Sequence, residues 1–240
     1  MRMLHGSTPK PVPSSAHTPA LLPWALADGS LEALKWVALV LMAGDHVNKY
    51  LLDESSATLY ALGRMVMPVF GFALMFNLAR PGALAAGLHL RVMKRLALVG
   101  ALSTPAFVYL VGWWPLNILF TLLVATLVVY LLERGGRLRR LLAALAFIVG
   151  GALVEFWWPA LLTCLGAWAF VRKPTAGRLA FWVLGTASLA IINGNFAALA
   201  ALPLIGGASK VDFPLRRNRW FFYAFYPAHL TLLALCLAAR

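Results

Sequence analysis

Apolar residues in this chain come in runs long enough to cross a bilayer, and they do so repeatedly. Windows bounded by charge or by Gly and Pro fall at roughly 31–52, 57–79, 94–112, 115–133, 140–155, 157–171, 179–193, 195–208 and 220–239. About 20 such residues in a helix span the hydrocarbon core, where a helix satisfies its own backbone hydrogen bonds. With 62% hydrophobic and 12% charged residues, the chain lies outside the balance of soluble domains. The expected fold is all-α, a polytopic transmembrane bundle of about nine spans. Eight remain if the run at 195–208, which carries Pro203 and the pair Gly206-Gly207, does not cross. Residues 1–30, rich in Pro, Ser and Thr and lacking the basic-then-apolar order of a signal peptide, read as a flexible cytoplasmic tail. Residues 31–240 then form a single transmembrane helical domain.

The formal net charge of +13 would suit nucleic acid, but its distribution argues otherwise. Segments after the second, fourth, sixth and eighth windows carry 15 of the 21 Lys and Arg residues, and the intervening loops "DESS", "GWWP", "FWWP" and "NGN" carry none. The positive-inside rule places the basic segments in the cytoplasm and, with nine spans, the N-terminus inside and the C-terminus outside. The charge is therefore topology, the partner is the lipid bilayer, and nucleic acid is excluded. Trp113, Trp114, Trp157 and Trp158 fall where an outer aromatic belt belongs. Cys164 and Cys236 both lie in apolar runs, so no disulfide framework or metal-ligand spacing is present. No CxxC, HExxH, P-loop or GxGxxG pattern and no fixed-period repeat occurs.

Against this background "LMAGDHVNKYLL" places Asp45, His46 and Lys49 inside the first span. Ionisable groups at such depth face a bundle interior or a watery cavity. At 1.5 Å per residue, Asp45, His46 and Arg64 of the second span all lie about 10 Å below the outer surface. Asn117, Glu155, Asn193 and Asn195 add polar groups on that side, and His229 lies near the midplane of the last span. Asp45 can pair with Lys49 at i,i+4 or with Arg64 across two helices. Neighbours on a helix diverge by about 100°, so Asp45 is poorly placed to orient His46. His46 is the candidate general base, with His229 as the next. Lys49 can snorkel outward, Asn117 can cap a helix, and Glu155 can be simply solvated.

The runs "LKWVALVLMAGDHVNKYLL", "LGRMVMPVFGFALMFNLAR", "PLNILFTLLVATLVVYLLE" and "RNRWFFYAFYPAHLTLLAL" resemble, in order, the TraX family, the F-pilin acetylases of bacterial conjugation systems. The resemblance covers about residues 31–240. It implies a multi-pass, acyltransferase-like enzyme of the bacterial inner membrane that moves an acetyl group from acetyl-CoA to the N-terminal amine of a pilin subunit. Asp45, His46, Arg64, Asn117 and His229 occupy its motif positions. Where an acidic residue followed by Tyr and Gly is expected, this chain has "EFWWP". On this reading His46 is the base, Arg64 or Asn117 donates to the developing oxyanion, and Asp45 balances Arg64. Arg216, Arg217 and Arg219 hold the phosphates of coenzyme A, a cytosolic polyanion, or serve topology alone. No metal is expected. The competing readings are an O-acetyltransferase of an envelope glycan, a proton-coupled transporter or flippase, and a non-catalytic assembly factor.

Overall fold

The structure, a computed structural model, describes residues 25–240 except the side chain of Arg219. Most of the expected tail thus lies outside the described residues. The described part of the chain is helical throughout, with one isolated bridge between Leu116 and Val154 and no strand. The helices are α1 (Asp28–Leu51), α2 (Ala57–Gly63), α3 (Val66–Leu78), α4 (Leu88–Leu110), α5 (Ile118–Arg134), α6 (Arg137–Leu153), α7 (Trp157–Arg172), α8 (Ala176–Ala187), α9 (Ala190–Asn193), α10 (Ala201–Ala208) and α11 (Arg219–Ala238), with a 3-10 turn at Ala197–Ala200. Three stretches, Ala57–Leu78, Ala176–Asn193 and Trp220–Ala238, are long and apolar enough to cross a membrane. The remaining long windows form helices that are charged along their length, as in α1, or 16 to 17 residues long, as in α5, α6 and α7.

The second window breaks where its sequence forces it to. Pro68 has no N–H to offer the carbonyl of Arg64, so the helix cannot run through that turn unbroken. The chain tightens instead: the Arg64 N–H bonds to the Ala61 carbonyl at 3.2 Å. That leaves the Tyr60 carbonyl without its usual i+4 donor, and the Arg64 side chain replaces it, Nε to O, at 3.1 Å. The break therefore anchors the arginine that the sequence singles out.

The helices run up and down, and their connections gather at two ends. At the first end, Asp28 pairs with Arg80 and Ser30 donates to the carbonyl of Val211. Glu32 accepts the N–H of Asn218 at 2.9 Å there, and Glu133 of α5 binds Arg172 of α7 at 2.7 Å. All four basic segments meet at this end. At the other end Tyr60 donates to the Asn193 carbonyl at 2.9 Å, Arg240 donates to that of Leu51 at 2.8 Å, and Trp114 stacks on Trp157. Expected boundaries shift: α4 starts at Leu88, not 94, and α1 starts at Asp28, not 31, because Leu26, Gly29 and Ser30 are buried against the bundle. Gly29 is required there, since a Cβ would fall 1.7 Å from the Phe213 carbonyl oxygen.

Consequently α1 and α11, far apart in sequence, lie side by side and parallel. Trp36 meets Phe221 and Phe222, His46 meets His229, and the Arg240 side chain just past α11 meets Leu51, in the same order along both helices. Helix α3, apolar on all sides, sits at the centre, with Phe72, Met75 and Phe76 inaccessible and Gly71 against the sulfur of Cys164. Helix α6 lies at the margin and leaves Leu138, Leu141, Leu145 and Ile148 exposed.

Candidate active site

Asp45 and His46 diverge, as adjacent helical residues must. Asp45 turns to α2 and binds Arg64, Oδ2 to guanidinium, at 2.5 Å, with both side chains largely buried. Two features of the α1–α2 corner bring them together. Asn48, fully buried, clips the turn by accepting the Ser56 N–H at 2.9 Å and donating to its carbonyl at 3.1 Å. Gly63 then lets Asp45 lie directly on the α2 backbone, where a Cβ would fall 2.3 Å from the carboxyl carbon. The Arg64 guanidinium also lies 4.3 Å from the Tyr60 ring centre, so three contacts fix it. No ion pair forms between Asp45 and Lys49; the Lys49 ammonium instead sits 5.3 Å over the ring of Tyr50.

His46 turns to α11. Its Nδ1 lies 3.0 Å from Nε2 of His229, the two rings are nearly coplanar, and His229 stacks in turn on Phe225 with centroids 5.1 Å apart. The depth argument set His46 nearer the outside and His229 nearer the middle. The structure joins them because α1 enters ahead of α11: Asn218, at the head of α11, already lies beside Glu32.

A cavity of about 460 Å³ runs along α1 from Lys35 to Glu54. The lining stretch from Lys35 to Tyr50 alone covers about 22 Å of helix. Arg217 and Asn77 line it near the basic end, His46 in its middle, and Arg64, Tyr60 and Glu155 near the other end. Its size is that of a small-molecule pocket, apolar with a few convergent polar groups.

The structure separates the remaining candidates. Asn117 does not line this cavity. Its Oδ1 caps α5 by accepting the Leu119 N–H at 3.1 Å, and its Nδ2 donates to the Gly100 carbonyl at 3.0 Å and faces Thr104 Oγ1 at 3.5 Å, which ties α5 to α4 away from the cavity. Of the two expectations for Asn117, this geometry matches the cap: the start of α5 needs a capping side chain, and this residue is it. Of the three arginines, Arg216 and Arg217 are both exposed and only Arg217 lines the cavity, while the side chain of Arg219 lies outside the described residues. Lys35 lines the cavity too, but Glu32 already pairs with it. Glu155 lines the cavity rather than facing bulk solvent. Sequence reading passed over Tyr60 and Tyr226. The signal was present, since Tyr60 precedes Arg64 by four residues and Tyr226 precedes His229 by three, the spacings that share a helix face. Among the described residues no three His, Cys, Asp or Glu side chains converge as metal ligands.

The family model of the TraX protein matches residues 30–237, from the first helix of the cavity through the last. The chain belongs to the TraX family. No curated protein and no solved structure matches it. TraX membership, together with three helices able to cross a bilayer, marks a membrane protein. In this TraX chain the matched region brings the helix bearing "DH", the "GR" corner and the "FYPAHL" helix to one cavity.

Proposed function

We propose that this TraX protein is a multi-pass, acyltransferase-like enzyme of the bacterial inner membrane that moves acetyl from acetyl-CoA to the N-terminal amine of a conjugative pilin. The N-terminus and the basic end of the bundle are cytoplasmic on this reading, by the positive-inside rule. The supporting observation is the hydrogen-bonded His46–His229 pair beside an elongated cavity with Arg217 at its basic end. A donor entering from the cytoplasm and an acceptor entering from the opposite side can meet at His46, because the cavity extends both ways from it.

The chemistry follows from the ring geometry. His46 lines the cavity and His229 does not, so the useful tautomer keeps Nδ1–H of His46 donating to His229 and leaves Nε2 of His46 with a free lone pair. His229 is then a positioning residue that fixes the tautomer. A protonated amine first gives one proton to His46 and becomes nucleophilic. Its lone pair attacks the thioester carbonyl, the C–S bond breaks with its electrons on sulfur, and the second nitrogen proton ends on the thiolate. The products are the amide, free coenzyme A and one proton returned to solvent. Arg64, held by Asp45 and the Tyr60 carbonyl, supplies positive charge near the developing oxyanion. Arg217 meets the phosphates of the donor.

The test is acetyl transfer by the full-length protein in lipid nanodiscs, followed as one acetyl added to pilin by intact mass. His46→Ala is expected to reach the membrane at normal level and lose at least about a hundredfold in rate, with His229→Ala losing less because base chemistry persists without orientation. Acetylation by His46→Ala at the parental rate would refute the assignment. A cavity reaching toward both ends also suits a transporter, and acetyl-CoA consumption strictly matched to amide formation separates the two.

A further inference from the structure

Glu155 belongs to none of the roles above, yet it is held more firmly than a solvated boundary residue needs to be. Its N–H donates to the Leu116 carbonyl at 2.8 Å, its carbonyl accepts from Thr121 Oγ1 at 2.8 Å, and Leu116 reaches back to Leu153 at 2.8 Å. Immediately afterwards Phe156 and Trp157 take positive φ of 60° and 46°, a strained turn that bulky residues rarely adopt. This clamp presents the side chain to the cavity. No cation lies within ion-pair distance of it among the described residues.

The charges of the cavity wall are unequal from end to end. Away from the basic loops the lining carries Asp45, Glu54 and Glu155 against Lys49 and Arg64, three acids to two bases, and the Asp45–Arg64 pair cancels itself. At the basic end Arg217 remains once Lys35 is matched by Glu32. One end therefore suits an anion and the other a cation. A hydroxyl acceptor brings no charge to answer Glu155, whereas a protonated amine does. Tyr226 shares the wall and offers a π-face to an ammonium.

Resting on the acetyltransferase reading, we propose that Glu155 is the docking group for the acceptor, receiving the protonated N-terminal amine of a polypeptide that enters from the end opposite the basic loops. The carboxylate holds the ammonium while one proton passes to His46; once acetylated, the nitrogen is neutral and the attraction that held it is gone. Substrate binds and product leaves by the same change of charge.

The experiment measures binding and transfer separately on the full chain in nanodiscs, using a synthetic alanine-rich hexapeptide with a free or an acetylated N-terminus. A charge-assisted contact makes the parent bind the free-amine peptide about 10- to 100-fold tighter. Glu155→Gln is expected to erase that preference and raise the peptide KM by the same factor with the acetyl-CoA KM unchanged, and Glu155→Asp to restore part of both. Equal affinity of the parent for both peptides, or an undiminished preference in Glu155→Gln, overturns the proposal. A parent that prefers the free amine yet transfers no acetyl would leave the cation site standing and remove the enzymatic reading instead.

Discussion

Gly63→Ala offers a test in which two physical arguments give opposite signs. Gly63 closes α2 at a backbone conformation any residue can adopt, so helix propensity alone favours alanine by about 1 kcal/mol. Packing says otherwise. The new methyl would meet the Asp45 carboxyl carbon at 2.3 Å, Cβ at 2.5 Å and Oδ1 at 2.6 Å, whereas ordinary contact begins at 3.4 Å. Asp45 must retreat by roughly 1 Å, which stretches its 2.5 Å contact with Arg64 beyond charge-assisted range. Removing one partner of a buried pair costs about 3–5 kcal/mol, and a stretched pair loses part of that. After the propensity gain the net loss is about 2 kcal/mol, or about 4–8 °C in Tm for a chain of this size. Thermal unfolding in nanodiscs measures it, with the same substitution repeated in an Asp45→Ala background. There the clash is gone, and alanine is expected to be neutral or stabilising. A Gly63→Ala protein that melts above its parent would show that Asp45 does not rest on α2, and the corner that positions Arg64 would have to be redrawn.

Asn117→Ala is expected to lower stability by about 2–4 kcal/mol, from a lost cap and an orphaned buried carbonyl, while turnover per folded molecule stays at the parental value in the pilin assay. Arg217→Gln is expected to raise the acetyl-CoA KM about tenfold with kcat retained, and Arg216→Gln to leave both unchanged; identical kinetics for the two would return Arg217 to a topology signal.

What could be read from sequence was whatever depends on one helix at a time. Hydropathy placed the long helices, α4 with its start six residues late, but ran together pairs that the structure divides, such as α2 with α3 and α8 with α9; the divergence of Asp45 from His46 followed from the helical period alone. The break at Arg64 was legible in Pro68, which lies four residues on, although the second window reads as continuous by hydropathy. What escaped was rotation and register between helices. Asn117 and Glu155 look alike as lone polar residues at span ends. One turns back to cap its own helix and the other opens into the cavity, a difference set by the hydrogen-bonded crossing of Leu116 and Val154. Arg216 and Arg217 are likewise neighbours that only the path of the loop tells apart. The contact of His46 with His229 depends on the first and last helices lying parallel, and no local pattern records that.

That parallel pairing bears on how the protein is made. The two histidines stand 183 residues apart, one on α1 and the other on α11. Until α11 is in place, His46 has no partner to set its tautomer, and one wall of the cavity, including Tyr226 and Arg217, is missing. A nascent chain stalled or cut anywhere before residue 229 therefore holds no assembled site. On the acetyltransferase reading proposed above, every form of the bundle that lacks α11 is inert, and acetyl-CoA would meet a reactive centre only once α11 has joined α1.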